Sequence, residues 1–308
     1  MTLAYLKDHS RWSRVPGKLD VYLDDPGFLY TASRILEADN KGMLTALGQT
    51  TYALFKPDAF AFGKAALALD FLQTKNFEVV ATHTLQLTET SMTGLWRYQW
   101  NRATPERMAA SLSIGLMSPS ILVLLRDVGG EGCNIPAAVR LWSLKGSASS
   151  DSRTPDRLRS VLGVNGRYFG FVHVPDEPAD VVRELTLLLG SRAVLEMLAS
   201  IDRSRGDIAG ELRTQIATFE DRFGMSWCAH APPTRPNDVT SRISASSVMD
   251  WYRELPSPEF LHANVSVRQE AWRRLATAVP LLKDNRDGVR AVIESGGIGD
   301  PAHLWSTS

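Results

Sequence analysis

The chain has 308 residues, of which 44% are hydrophobic and 22% charged, the balance of a globular protein long enough for one main core and an extension. Lys and Arg total 34, as do Asp and Glu, so net charge gives no hint of a nucleic-acid or membrane partner. Any anion site must come from local placement of cations.

Residues 1 to 48 mix charges, prolines and aromatics, and read as an N-terminal arm with a helical stretch from Leu29 to Leu36 and a turn at Asp24-Asp25-Pro26-Gly27. From Thr51 the pattern sharpens. Tyr52 to Phe55 reads as a buried strand, Phe62 to Thr74 as an amphipathic helix, and Phe77 to Leu87 as a second strand rich in β-branched residues. Residues 89 to 116 read as helix in two pieces, divided where Thr104 caps a helix that has Pro105 at its first position. Ser120 to Leu125 is a third strand, apolar enough to be covered on both faces.

A helix including Pro136 to Leu141 follows, then a polar loop from Lys145 to about Arg159. Tyr168 to Val174 is expected as the fourth strand, and Pro178 to Leu189 as the next helix. Beyond Gly190 strand signals vanish. Residues 193 to 201, 208 to 223, 248 to 255 and 269 to 282 read as helices, with the connector Ala229 to Asn237 broken by three prolines. The order of elements predicts an α+β fold, a ferredoxin-like antiparallel sheet covered by helices, with a mostly helical C-terminal extension. The expected domains are 1–48, 49–190 and 191–308.

Cys133 and Cys228 form neither a disulfide framework nor a close metal-ligand pair, and the six histidines show no metal-ligand spacing. The N-terminus carries no signal-like apolar stretch, and the longest apolar run, near Ser113 to Leu125, is interrupted by Pro119. A cytoplasmic location and no membrane partner are the expectation.

Two segments carry the chemistry. Thr51-Tyr52-Ala53-Leu54-Phe55-Lys56-Pro57-Asp58 ends a strand on a fixed cation, and Tyr168 to Asp176 ends another on His173. A lysine closing a buried strand needs an anion, either a phosphate or a carboxylate such as Asp58. A histidine can carry a phosphoryl group as a covalent intermediate, although a strand-end histidine is also an ordinary structural residue.

Over residues 49 to 190 these segments resemble the nucleoside diphosphate kinase family. Lys56-Pro57-Asp58 is similar to its Lys-Pro-Asp signature, Gly63 to the glycine starting its first helix, and Ser118-Pro119-Ser120 to its third-strand entry. Tyr98 and Arg102 resemble its Tyr and the Arg of its Arg-Pro-Phe-Phe stretch. The run Ser152 to Arg159 is similar to its Pro-Gly-Thr-Ile-Arg loop, and His173 with Asp176 to its His-Gly-Ser-Asp. The resemblance implies His173 as the phosphoryl carrier, Glu184 as its orienting partner, and Lys56, Tyr98, Arg102, Arg159 and Asp176 as contacts to a phosphate-bearing ligand. It also implies ATP as donor, Mg²⁺ arriving with the nucleotide (Asp176 and Asp151 as outer-shell contributors), and a homo-oligomer.

The sequence departs from that family at Gly170, Ala148, Trp142, Thr104 and Val174-Pro175, where the family has Asn, Thr, Arg, a base-stacking Phe and Gly-Ser. Trp96, Trp100 and Trp142 are candidates for a replacement base platform or for core packing. Three functions stay open: a phosphotransferase acting through a phosphohistidine, a specialised biosynthetic enzyme using a modified nucleotide or activated small molecule, and a nucleotide-binding scaffold without turnover.

Overall fold

A computed structural model describes residues 11–38, 42–130, 134–147, 154–164, 168–201, 206–223, 264–279, 282–293 and 301–306. Ala148, Asp151, Ser152, Cys133, Cys228, the 229–237 connector and the expected helix at 248–255 lie outside them. The elements are α1 Lys18–Tyr22, α2 Pro26–Glu37, α3 Met43–Gln49, β1 Thr50–Phe55, α4 Pro57–Ala61, α5 Ala65–Thr74 and β2 Phe77–Leu85. There follow α6 Glu89–Leu95, α7 Arg97–Trp100, α8 Pro105–Leu116, β3 Ser120–Asp127, α9 Ala137–Lys145, α10 Leu158–Val161 and β4 Val172–His173. The chain ends in α11 Pro178–Leu189, α12 Ser191–Ser200, α13 Ile208–Phe223, α14 Val265–Ala278 and α15 Pro301–Ser306.

The sheet runs β2-β3-β1-β4, with every neighbouring pair antiparallel. This is the ferredoxin-like α+β arrangement expected from the order of elements. The central strands β1 and β3 are almost wholly buried, and their side chains divide between two cores by simple alternation. Ala53, Phe55, Ile121, Val123 and Leu125 face a layer that includes Leu212 and Ile216 of α13 and Trp272 and Leu275 of α14. Tyr52, Leu54, Leu122 and Leu124 face the opposite layer, built from Phe28, Ala32 and Ile35 of α2, Leu44 and Leu47 of α3, and Val181, Val182 and Leu185 of α11. Helices before β1 thus cover one face of the sheet, and α13 and α14 cover the other.

Three elements differ from the sequence reading, each for a backbone reason. The helix expected over 62–74 starts only at Ala65, as α5, because Gly63 adopts a left-handed conformation (φ 61°) that separates it from the short α4 before it. The fourth strand shrinks to Val172 and His173 because Phe171 also turns left-handed (φ 56°), a conformation a strand cannot accommodate. The arm before Thr50 contains α1 and α3 besides α2, each starting after a left-handed glycine, Gly17 or Gly42. Thr104 caps α8 as read: its side chain accepts the Arg107 N–H at 3.2 Å, and Pro105 occupies the first turn.

Candidate functional site

The pairing of β1 with β4 positions the site. Leu54 stands opposite His173 in the antiparallel register, and Lys56 follows Leu54 by two residues. With a two-residue side-chain period, Tyr52, Leu54, Lys56 and His173 all issue toward one face of the sheet. The backbone continues the ladder past the strand, since the Lys56 N–H donates to the Phe171 carbonyl at 2.9 Å. Pro57 then starts α4 with its fixed φ, so the lysine is held at the junction of strand and helix.

Asp58 locks this junction. Its Oδ2, fully buried, accepts the Phe171 N–H at 2.9 Å and lies 3.2 Å from Lys56 Nζ. The carboxylate alternative for Lys56 is therefore present, and the lysine side chain, still 12% exposed, lines a cavity. A Cβ added at Gly170 would sit 3.8 Å from that ammonium, so the missing side chain leaves the lysine unobstructed.

His173 is fixed from behind. Its Nε2 lies 2.8 Å from Glu184 Oε2, and the Tyr52 hydroxyl donates to the same oxygen. A carboxylate only accepts, so in the neutral ring Nε2 carries the proton and Nδ1 keeps its lone pair. The Tyr52 hydroxyl is fully buried, and burial together with the adjacent Glu184 pushes its pKa well up. Trp96 meets the imidazole edge to face, with centroids 5.5 Å apart, and stacks on Trp100 at 5.6 Å.

These groups open on one cavity of about 120 Å³. Its polar wall is Lys56, Arg107, Lys145, Arg159 and His173, joined by Ser111 and Tyr168. Its apolar wall is Leu87, Met92, Trp96, Trp100, Ile114 and Val172. Among the described residues four cations and an imidazole line it, and no carboxylate does. Asp58 and Glu184 stand behind the lining, bonded to Lys56 and His173. Such a cavity attracts a polyanion, and its dry aromatic side strengthens the attraction by lowering the local dielectric.

Of the residues expected from sequence, Lys56, Arg159 and His173 line the cavity and Glu184 holds one of them. Arg159 also donates from Nη1 to the Gly146 carbonyl at 2.8 Å, which anchors its stem. Tyr98 is packed in the core between the Tyr22 ring and the Arg183 guanidinium. Arg102 is half-buried beside the C-terminal segment, its carbonyl accepting the Arg286 N–H at 2.8 Å, and is not part of the lining. Asp176 sits behind Lys145, with 3.9 Å between Oδ1 and Nζ. Arg140, the arginine near Trp142, is held by Asp127 at 2.6 Å and does not line the cavity.

Sequence reading passed over Tyr52, Arg107, Ser111, Lys145 and Tyr168. Strand parity would have found Tyr52, since it shares the face of Lys56. Arg107 and Ser111 are one helical turn apart on α8, a spacing that puts both on one side.

No protein-family model matches the chain, and no curated protein matches it by sequence. Solved structures do. The chain is similar to nucleoside diphosphate kinases. The enzyme of Aquifex aeolicus shares 18% identity over 45% of this chain and 93% of its own, with a TM-score of 0.38. The Halobacterium salinarum enzyme, solved in complex with CDP, shares 19% identity over 45% and 85%, with a TM-score of 0.36. A family protein from Babesia bovis shares 18% identity over 45% and 86%, with a TM-score of 0.37. Among the described residues no helix is long and apolar enough to cross a membrane.

Proposed function

We propose that the protein is a phosphotransferase that carries a phosphoryl group on His173 between a nucleoside triphosphate and a second phosphate-bearing acceptor. The observation that carries this reading is the shared lining of the cavity: Lys56, Arg107 and Arg159 beside an imidazole whose Nε2 is already committed to Glu184. Phosphoryl transfer asks the protein for little covalent chemistry and much positioning of positive charge around phosphate oxygens.

In the first half-reaction the Nδ1 lone pair attacks the terminal phosphorus. A nitrogen–phosphorus bond forms, the bridging phosphorus–oxygen bond breaks, and the nucleoside diphosphate leaves with its electron pair. The ring becomes positive, and Glu184, steadied by the Tyr52 hydroxyl, stabilises it at Nε2. Lys56 and the two arginines hold the non-bridging oxygens in both ground and transition states. The second half-reaction reverses these steps with a new acceptor oxygen.

Among the described residues no group of His, Cys, Asp and Glu could hold a metal ion, and the lining has no carboxylate. Mg²⁺ in this reading belongs to the substrate and is held by its phosphate oxygens.

The test is incubation with γ-labelled ATP followed by gel separation. Acid-labile, base-stable label is expected on the wild type and none on His173→Ala. Label retained by His173→Ala would reject this histidine as the carrier.

A second reading, a specialised acceptor on the same site, draws on Thr104. Its hydroxyl donates to the Lys283 carbonyl at 2.6 Å and its N–H to Asp284 at 3.3 Å. Where the resembling family places a base-stacking ring, this chain has a threonine tied to its own C-terminal segment. Mass-spectrometric screening of acceptors separates the two readings. Exchange among the common nucleoside diphosphates would favour the general kinase, and its absence alongside a labelled His173 the specialist.

A further inference from the structure

Lys145 has no role in any of this, yet it lines the cavity. It is the last residue of α9, where Gly146 ends the helix with a left-handed turn (φ 78°) and Arg159 takes the Gly146 carbonyl. The lysine side chain folds inward and is 9% exposed. An ammonium has three N–H donors. Among the described residues Lys145 Nζ makes one hydrogen bond, to the Val174 carbonyl at 3.3 Å, and its nearest carboxylate oxygen, on Asp176, is 3.9 Å away. That separation exceeds hydrogen-bond distance. A buried cation short of acceptors is costly when charged, unless something in the cavity supplies them.

We propose that Lys145 is a ligand for the anion bound in this cavity, which supplies the acceptors its ammonium lacks, and that at alkaline pH binding therefore takes up a proton. The proposal rests on the reading that the cavity takes a phosphate-bearing ligand.

The surroundings agree. Asp176 faces the ammonium from the loop after β4, Asp180 and Glu184 from α11, Arg159 from α10, and Lys56 and Arg107 share the cavity lining. Burial lowers the Lys145 pKa to about 8, and Arg159 pushes the same way against the pull of Asp176, Glu184 and Asp180. Burial also raises the Asp176 pKa, against Lys145 and Lys18. Both partners move toward their neutral forms, so desolvation outweighs their mutual attraction at 3.9 Å. A dianion arriving in the cavity would restore the balance by giving the ammonium its missing acceptors.

Titration calorimetry with sulfate tests the idea, because sulfate keeps its charge across the range used. At pH 8.5, measured in two buffers of different ionisation enthalpy, wild type is expected to take up about three quarters of a proton per sulfate. Affinity is expected to fall about twentyfold between pH 7.5 and 9.5. Lys145→Arg, whose side chain stays charged, should bind with neither the uptake nor the pH dependence. Lys145→Met should bind weakly at every pH. Uptake that persists in Lys145→Met, or wild-type affinity that is flat from pH 7.5 to 9.5, overturns the proposal. Sulfate binding that depends on Lys56 and Arg159 but ignores Lys145 overturns this inference alone. Failure of wild type to bind sulfate, inorganic phosphate or ATP overturns the phosphate-site reading with it.

Discussion

His173 Nε2 and Glu184 Oε2 stand 2.8 Å apart, which commits one ring nitrogen and leaves the other to the cavity. Glu184 sits on α11 and His173 on β4, so helix packing against the sheet sets the aim of the imidazole. Glu184→Ala is expected to slow formation of the phosphoenzyme about 10–100-fold, the usual consequence of losing a partner that orients a reactive imidazole. Tyr52→Phe, which leaves Glu184 in place but frees it to rotate, should slow it less. Rapid-quench labelling measures both, and sulfate affinity should hold steady in each. A parallel loss of anion binding would mean that the cavity itself had collapsed.

Asp58 ties three parts of the site together through one oxygen. It pairs with Lys56, caps the strained Phe171 N–H, and belongs to the first turn of α4. Asp58→Ala would leave a mostly buried ammonium and a buried N–H without their acceptor. A loss of about 3–5 kcal/mol is expected, as for other buried pairs broken from one side. Asp58→Asn keeps an oxygen for the Phe171 N–H and should lose less. Urea unfolding followed by tryptophan fluorescence measures both, and equal midpoints for the two variants would contradict the hydrogen-bond part of the argument.

Sequence pattern made the sheet legible because β1 and β3 are apolar on both faces and α11 is bounded by Pro178 and Gly190. It made Lys56 and His173 legible because each closes such a strand. What it could not convey were features that exist only after folding. The left-handed turn at Phe171 cuts β4 short, and no local signal requires a phenylalanine there to adopt it. Tyr98 carries a polar group that suits either site or core; only packing against Tyr22 and Arg183 decides for the core. Lys145 reads as the start of a polar loop, and its inward turn depends on Gly146 and on Val174, 29 positions further along.

The entry to α11 carries a second buried charge cluster, outside the cavity lining. Lys18 Nζ lies 2.8 Å from Asp180 Oδ2 and 3.0 Å from Glu177 Oε2, and the Tyr22 hydroxyl donates to Asp180. Burial opposes each charge. Asp180 and Glu177 nonetheless raise the Lys18 pKa, and Lys18 with Tyr22 and Arg183 lowers that of Asp180. A carboxylate with a depressed folded pKa contributes stability above its unfolded value, near pH 4, and loses it as pH falls through the folded value. Wild type should therefore lose thermal stability on acidification below about pH 4. Lys18→Met strands two buried carboxylates and should cost about 3–5 kcal/mol at pH 7. The deficit should shrink toward pH 5 as one carboxylate takes up a proton. A melting series of both proteins across pH 3 to 8 checks the crossing trends.

Gly115 and Met92 both line the cavity, and a Cβ at Gly115 would fall 2.3 Å from Met92 Cε. The clash is with the tip of a flexible side chain, so the helix can keep its course while the methionine moves. Gly115→Ala should fold with a stability change of about 1 kcal/mol or less, the helix-propensity gain offsetting the repacking. Its effect belongs in the cavity, where a displaced thioether narrows the apolar wall. Weaker nucleotide binding with unchanged sulfate binding is the expected pattern. Equal losses for both ligands would place the methionine against the anion instead.

Lys145 offers the opposite of the Lys18 cluster, a lysine whose folded pKa, about 8, lies below its unfolded value. For such a group the buried charge is a penalty, fully present at neutral pH and relieved as pH rises from about 8 toward 10.5, where the unfolded chain also loses its proton. Lys145→Met, apolar and of similar length, should thus raise the unfolding free energy at pH 7 by on the order of 3 kcal/mol before loss of the Val174 hydrogen bond is counted. The gain should fade toward pH 10. Calorimetric melting of both proteins at pH 7 and pH 10 gives the two differences. A gain at pH 7 combined with weak sulfate binding would identify a charge kept for its ligand at the expense of the fold. A loss of stability at pH 7 would instead mean that Asp176 stabilises the ammonium more than burial penalises it.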